Sequence, residues 1–167
     1  MKKLDPMAAS GDLIRRIEAG AFLTVKAGED LNTMTIGWAM IGFIWQRPVC
    51  MVAVRDSRHT FPILERAADF TITLPTGDQE EALALCGTRS GRELDKFQAC
   101  GLKAAPAQRT VSPILDVPGT HLECRICHRA PMDPALLDPA LLELYPARDF
   151  HTLTFGEITA CYETEAR

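Results

Sequence analysis

The chain predicts a mainly β fold with added α-helices, arranged as a mostly antiparallel barrel rather than a parallel α/β sheet. Three observations lead there. Short runs bounded by Gly and Pro carry strand composition, as in PVCMVAV (residues 48–54) and DFTITLP (residues 69–75). Helical patterns fall between such runs at intervals, without a repeating βαβ alternation. No GxGxxG occurs, which removes the signature of a dinucleotide-binding doubly wound sheet.

Each element follows from its residues. Ser10 and Gly11 precede DLIRRIEA, in which Leu13, Ile14 and Ile17 share a helical face and Gly20 supplies the stop. AFLTVKAG (residues 21–28) reads as a strand ending in a turn. The polar tetrad Asn32-Thr33-Met34-Thr35 is expected where a loop enters a second strand. An apolar stretch with Trp38 and Trp45 follows, and both tryptophans are assigned to core packing. PVCMVAV is a buried strand in which Cys50 is inert filling. Asp56 or Ser57 is expected to cap a helix running to about Ala68, with Phe61, Leu64 and Ala68 on its buried face.

DFTITLP alternates Phe70, Ile72 and Leu74 with Thr71 and Thr73, the pattern of a strand. DQEEALAL (residues 78–85) is helical, with acids where the dipole favours them. CGTRSGRELDKF (residues 86–97) gives a Gly-punctuated loop and a short helix. A strand is expected near residues 110–115, and Val117-Pro118-Gly119 marks a turn. THLECRICHRA alternates Leu122, Cys124 and Ile126 against His121, Glu123 and Arg125, a half-buried strand with His121 on its surface. His59 is likewise placed on a helix surface. Asp138-Pro139 opens a further helical turn, and HTLTFGEITACYE (residues 151–163) is a last strand bent at Gly156.

At 167 residues, with 47% hydrophobic and 24% charged residues, the chain fits one domain spanning residues 1–167. A formal net charge of −4 argues against a nucleic-acid partner. No apolar run has signal-peptide or membrane-spanning length, so the expectation is a soluble cytoplasmic protein. The six cysteines are then read as free thiols. Cys124-Arg125-Ile126-Cys127-His128 has the spacing of covalent haem attachment, or of half a zinc site. No second ligand pair accompanies it, and on a strand its two cysteines point to opposite faces, so no metal is assigned.

Two stretches concentrate groups suited to an anion. Arg55-Asp56-Ser57-Arg58-His59-Thr60 ends the central strand at a helix entrance, and Ser90, Arg92 and Lys96 recur in the TRSGRELDK segment. Guanidinium forks, hydroxyls and an ammonium are what a phosphate requires. The reading is a site in which the tetrad region holds a flat aromatic ligand and the arginine-rich turn holds its phosphate. No nucleophile–base pair stands out, as expected where a cofactor carries the chemistry.

The succession NTMTIGW, RPVCMVAVRDSRHTFPIL, DFTITLP, CGTRSGRELDKF and HTLTFGEI resembles the flavin reductase-like, FMN-binding split-barrel family, and within it the flavoredoxin branch. The resemblance runs from about Gly20 to Tyr162 with the motifs in family order. It implies a homodimer of antiparallel, Greek-key split barrels with FMN at or near the subunit interface. NADH or NADPH is implied as electron donor, with free flavin, a metal ion or a partner protein as acceptor. The alternative is an FMN electron carrier that does not oxidise NAD(P)H directly. Residue by residue, the resemblance lays Asn32, Thr33, Met34 and Thr35 along the flavin edge. Arg55, Ser57, Arg58 and Thr60 surround the phosphate or ribityl chain, and Ser90, Gly91 and Lys96 close the site. His151 matches the family's histidine before the last strand, on the nicotinamide side, although Phe150 separates it from Asp149.

Overall fold

Alternation of apolar and β-branched residues is realised as one antiparallel sheet with helices packed at its margins. The computed structural model describes residues 1–165. Strands β1 (Lys2–Lys3), β2 (Ala21–Ala27), β3 (Asp30–Ile36), β4 (Ala39–Ile44), β5 (Arg47–Arg55), β6 (Asp69–Pro75), β9 (Gly119–Pro131) and β10 (His151–Thr164) form it. The order is β3-β2-β6-β9-β10-β5-β4, with β1 paired to β10. Two-residue strands β7 (Ala104–Ala105) and β8 (Ile114–Leu115) make a separate ribbon. The β5-to-β6 connection passes over β10 and β9, a Greek-key crossover that carries α2 (Phe61–Arg66). The remaining helices are α1 (Ser10–Ala19), α3 (Glu80–Thr88) and α4 (Lys96–Cys100), and 3-10 turns span Pro134–Leu136 and Pro139–Leu144. This is the mainly β architecture the residues predict.

Helix α1 buries Leu13 and Ile17 against the sheet and stops at Gly20, whose φ of 122° suits glycine. Leu23, Val25, Val52, Val54, Phe70, Ile72 and Leu122 meet these side chains in one core. Gly156 is present for close approach. A Cβ there would lie 2.7 Å from Cys124 Cβ and 2.7 Å from the Phe70 ring, and the β9 pairing shifts register beside it. The expected bend therefore has a packing cause.

Several expectations are corrected. Residues 32–35 lie inside β3, paired along its length with β2, rather than in an entering loop. Trp38 and Trp45 are not core residues but 45% and 47% exposed. Trp45 and Gln46, both with positive φ, form the two-residue turn between β4 and β5, and Met40, Phe43 and Ile44 of β4 are exposed while Ala39 and Ile41 pack against the core. Helix α2 begins after Thr60, with no side-chain cap, and ends at Arg66. It buries Ile63 and Leu64, while Ala68 is exposed. Only Ile114 and Leu115 are strand within residues 110–115.

The larger correction concerns the second face of β6 and β9. Thr71 and Thr73 are fully buried, as are His121 and Glu123. Residues 104–117 fold over that face: Thr71 donates to the Pro113 carbonyl at 2.6 Å, and the Glu123 carboxylate accepts from the Gln108 amide at 2.8 Å. Tyr162 donates its hydroxyl to Glu123 at 2.7 Å, and His121 bridges Thr73 and Thr164. A period-two pattern therefore marks a polar network here, not a solvated face. Cys124 is buried and Cys127 exposed, so the two thiols do face apart. Among the described residues no helix is long and apolar enough to cross a membrane.

Candidate functional site

The arginine-rich turn after β5 and the loop after α3 face each other across the end of β3. Alternation along β3 presents Asn32 and Met34 to this gap. Together with Ser57, Arg58, Thr60, Ser90, Gly91, Arg92 and Lys96 they enclose a cleft of about 180 Å³. Asn32 donates its amide to the Thr60 hydroxyl at 2.8 Å, fixing the floor. Arg92 donates to the Ser57 carbonyl at 3.0 Å and Arg58 to the Gly87 carbonyl at 3.3 Å, which tie the two loops together. The loop approaches so closely that a Cβ on Gly91 would meet Asn32 Oδ1 at 2.7 Å and His59 Cδ2 at 2.5 Å.

The charge in the cleft is positive. Arg89 pairs with Glu93 at 3.2 Å, while the guanidinium groups of Arg58 and Arg92 donate only to carbonyls among the described residues. Lys96 is only 4% exposed, and among the described residues its ammonium donates one bond, to the Cys86 carbonyl at 2.7 Å. Burial is the main force lowering its pKa, with Arg58 acting the same way. His59 is shifted down by burial and then by Arg92 and Lys96. Two guanidinium groups and a buried ammonium with spare donors make a cradle for a dianion.

Not every expected residue enters it. Thr33 is fully buried, its hydroxyl 3.1 Å from that of Thr24, and the Thr35 hydroxyl donates to the Leu83 carbonyl at 2.6 Å. Arg55 turns away as well. It donates to the Asp149 carbonyl at 2.7 Å and the Leu144 carbonyl at 3.2 Å, and lies 5.0 Å from the Tyr145 ring. Arg89 and His59 also line the cleft, although no local pattern sets them apart from other cations and rings.

Arg55 belongs to a second group around His151, its direct partner across β5 and β10. The His151 Nδ1 lies 2.8 Å from the Tyr145 hydroxyl, and its ring centroid is 4.8 Å from that of Trp38. Burial, reinforced by the Arg55 charge, depresses its pKa to about 4, so the imidazole is neutral at neutral pH. Asp149, one residue before Phe150, accepts from the Ser57 hydroxyl at 2.6 Å and so couples this group to the cleft. Beside His151 an apolar groove of about 490 Å³ runs between Trp38, Met40, Met51, Leu141, Leu144 and Tyr145. Trp38 and Tyr145 escaped sequence reasoning. Their only signal was apolar and aromatic content in segments too short to form a core layer.

Comparison with known proteins places this geometry in context. The family profile described as "Flavin reductase like domain" matches residues 15–167. Flavoredoxin of Desulfovibrio vulgaris (Miyazaki F) superposes with a TM-score of 0.69 at 22% identity, over 87% of this chain and 69% of that one. An NADH:FAD oxidoreductase of Streptomyces globisporus gives 0.64 at 17% identity, over 98% and 88%. An uncharacterized protein of Archaeoglobus fulgidus is 25% identical over 105 residues. That match covers 63% of this chain and 59% of the relative, so less than two thirds of its length is spanned. These likenesses establish the split-barrel fold.

Proposed function

The chain belongs to the flavin reductase-like domain family, and from that premise we propose that it is an FMN-binding oxidoreductase whose flavin is reduced by NADH or NADPH. The observation that carries this reading is the cleft between residues 57–60 and 90–96. Arg58, Arg92 and Lys96 are the cations that a phosphate monoester needs, Ser57, Thr60 and Ser90 add hydroxyls, and Gly91 leaves room where a side chain would intrude. At about 180 Å³ the cleft suits the phosphate end of a ligand. Whole-ligand pockets run from about 300 Å³ upwards. Asn32 and Met34 stand at its β3 wall, one offering an amide and the other an apolar thioether surface.

A bound flavin supplies two-electron uptake and its release singly or in pairs. The protein's part is to bind and orient. Asp149 holds Ser57, the Arg92 bond holds the arginine-rich turn, and Tyr145 holds the His151 ring. A neutral His151 offers a hydrogen bond without competing cationic charge near a nicotinamide. A second reading, an FMN electron carrier lacking direct NAD(P)H oxidation, is favoured by one feature. The turn carrying Leu141, Leu144 and Tyr145 walls one side of the His151 groove. Absorption spectroscopy separates the two. The expected result is a bound-flavin spectrum that bleaches on anaerobic addition of NADH or NADPH. Bleaching by dithionite alone would select the carrier, in which a partner protein supplies electrons, and failure to take up FMN would dismiss both.

The proposed assembly is a homodimer. Met40, Phe43, Ile44, Trp38 and Trp45 are all 45–65% exposed on the β4 hairpin and its approach. So many large exposed apolar side chains along one short hairpin are unusual on a monomer. Phe43→Asp is expected to shift sedimentation from dimer to monomer at micromolar concentration. A wild-type protein that sediments as a monomer would refute the assembly.

A further inference from the structure

Cys86 and Cys100 are not explained by the flavin chemistry. Cys86 ends the buried part of α3, and Cys100 is the last residue of α4. Their Sγ atoms are 3.9 Å apart, in a small apolar cluster with Phe22, Leu102 and Leu115. The two thiols are reached differently. Cys86 is 1% exposed and borders the anion cleft from behind, whereas Cys100 is half-buried and lines a second cleft of about 320 Å³ with Asp78, Gln79 and Glu81.

The chain between the two sulfurs gives the pair its meaning. Residues 87–99 contain Ser90, Gly91, Arg92 and Lys96, one whole side of the anion cleft. Besides the packing of Phe97 in the apolar cluster, that side is tied by single side-chain hydrogen bonds: Lys96 to the Cys86 carbonyl, Arg92 to the Ser57 carbonyl and Arg58 to the Gly87 carbonyl. We propose that Cys86 and Cys100 form a reversible disulfide that closes residues 87–99 into a covalent ring and staples one wall of the cleft. Cys50 and Cys124 also lie close together, but they and Cys161 are sealed in the sheet core away from any oxidant, and Cys127 is exposed on the surface.

The chemistry balances with hydrogen peroxide as oxidant. Peroxide oxidises the Cys100 thiol, the one facing a solvent-filled cleft, to a sulfenic acid and releases water. The Cys86 sulfur then attacks the Cys100 sulfur, the S–O bond breaks, and the departing hydroxide takes the Cys86 proton as a second water. Two thiols have lost two electrons and peroxide has gained them. Burial pushes the Cys86 thiol up, so the more accessible Cys100 is the sulfur that meets peroxide and Cys86, 3.9 Å away, is the resolving partner. A dithiol reductant reverses the link by exchange at the accessible Cys100 sulfur.

The test is peptide mass spectrometry of the intact protein titrated with hydrogen peroxide, digested without reduction. The expected result is a peptide pair joining Cys86 to Cys100, lighter by two hydrogens and lost on adding dithiothreitol, while Cys50, Cys124 and Cys161 stay unmodified. Cys100→Ser abolishes the link and leaves Cys86 as a thiol. In the oxidised protein, trypsin cleavage after Arg89 and Arg92 slows at least threefold relative to the reduced form. Overoxidation of Cys100 with Cys86 untouched, or a disulfide to Cys127 instead, overturns the proposal. Unchanged trypsin cleavage in fully cross-linked protein overturns the stapling role. None of these readouts depends on flavin binding, so they fail or succeed apart from the reading of the cleft.

Discussion

Arg58→Ala will weaken FMN binding at least tenfold, read as the concentration at which the protein quenches flavin fluorescence. Arg58 lies in the cleft with its guanidinium held, among the described residues, only by the Gly87 carbonyl at 3.3 Å, a long bond that a phosphate oxygen can join or replace. A hydrogen bond between two charged partners contributes about 1.5–3 kcal/mol, and about 1.4 kcal/mol is a factor of ten. Arg58→Lys should fall between wild type and alanine, because an ammonium keeps the charge but loses the planar fork. Arg66→Ala is the matched control. Arg66 is on the neighbouring helix, 56% exposed and paired with Asp30 at 2.7 Å, a surface ion pair worth less than about 1 kcal/mol. It should leave FMN affinity unchanged. Equal affinities for wild type and Arg58→Ala would remove the cleft from the flavin site.

What could be read from the sequence follows from range. Strand content, helix α1 with its Gly20 stop, and the cation-rich segments depend on neighbours a few residues apart, and they emerged with nearly their observed bounds. The expected anion groups Ser57, Arg58, Thr60, Ser90, Gly91, Arg92 and Lys96 do converge, because both segments flank the same end of β3. Failures occurred where a distant segment decided the outcome. Thr33 and Thr35 look identical to binding threonines until β2 and α3 supply their partners. Arg55, three residues from Arg58, is captured by carbonyls nearly a hundred residues later. Trp38 and Trp45 seemed core residues because large aromatics usually are, yet Trp38 stands just before β4 and Trp45 in the positive-φ turn after it, and both are exposed. No local pattern encodes any of these.

The same limit hid His121, one of two buried histidines expected to make the fold sensitive to acid. Placed on a surface by alternation, it is instead fully buried beneath residues 104–117, with Thr73 at 3.1 Å and Thr164 at 2.9 Å from its two ring nitrogens. Burial drives its pKa from 6.5 down to about 4, against the opposing pull of Glu123 and Asp116. Above pH 6.5 the ring is neutral in both folded and unfolded chains and has no effect on their balance. Between about 6.5 and 4 the unfolded chain binds a proton that the native state refuses, so stability falls with pH. Below about 4 both states are protonated and the loss levels off. At 1.36 kcal/mol per pKa unit the full loss is about 3 kcal/mol. His151, also depressed to about 4, adds in the same direction. Urea unfolding of the flavin-free protein at pH 7.5, 6, 5 and 4.5 should therefore show stability dropping by several kcal/mol. In His121→Gln the starting stability is lower, because the Thr73 and Thr164 bonds are disturbed, but the decline between pH 6.5 and 4.5 shrinks by roughly half, as expected when one of two contributing groups no longer titrates. A decline as steep in His121→Gln as in wild type would mean that His121 is open to protons in the folded state.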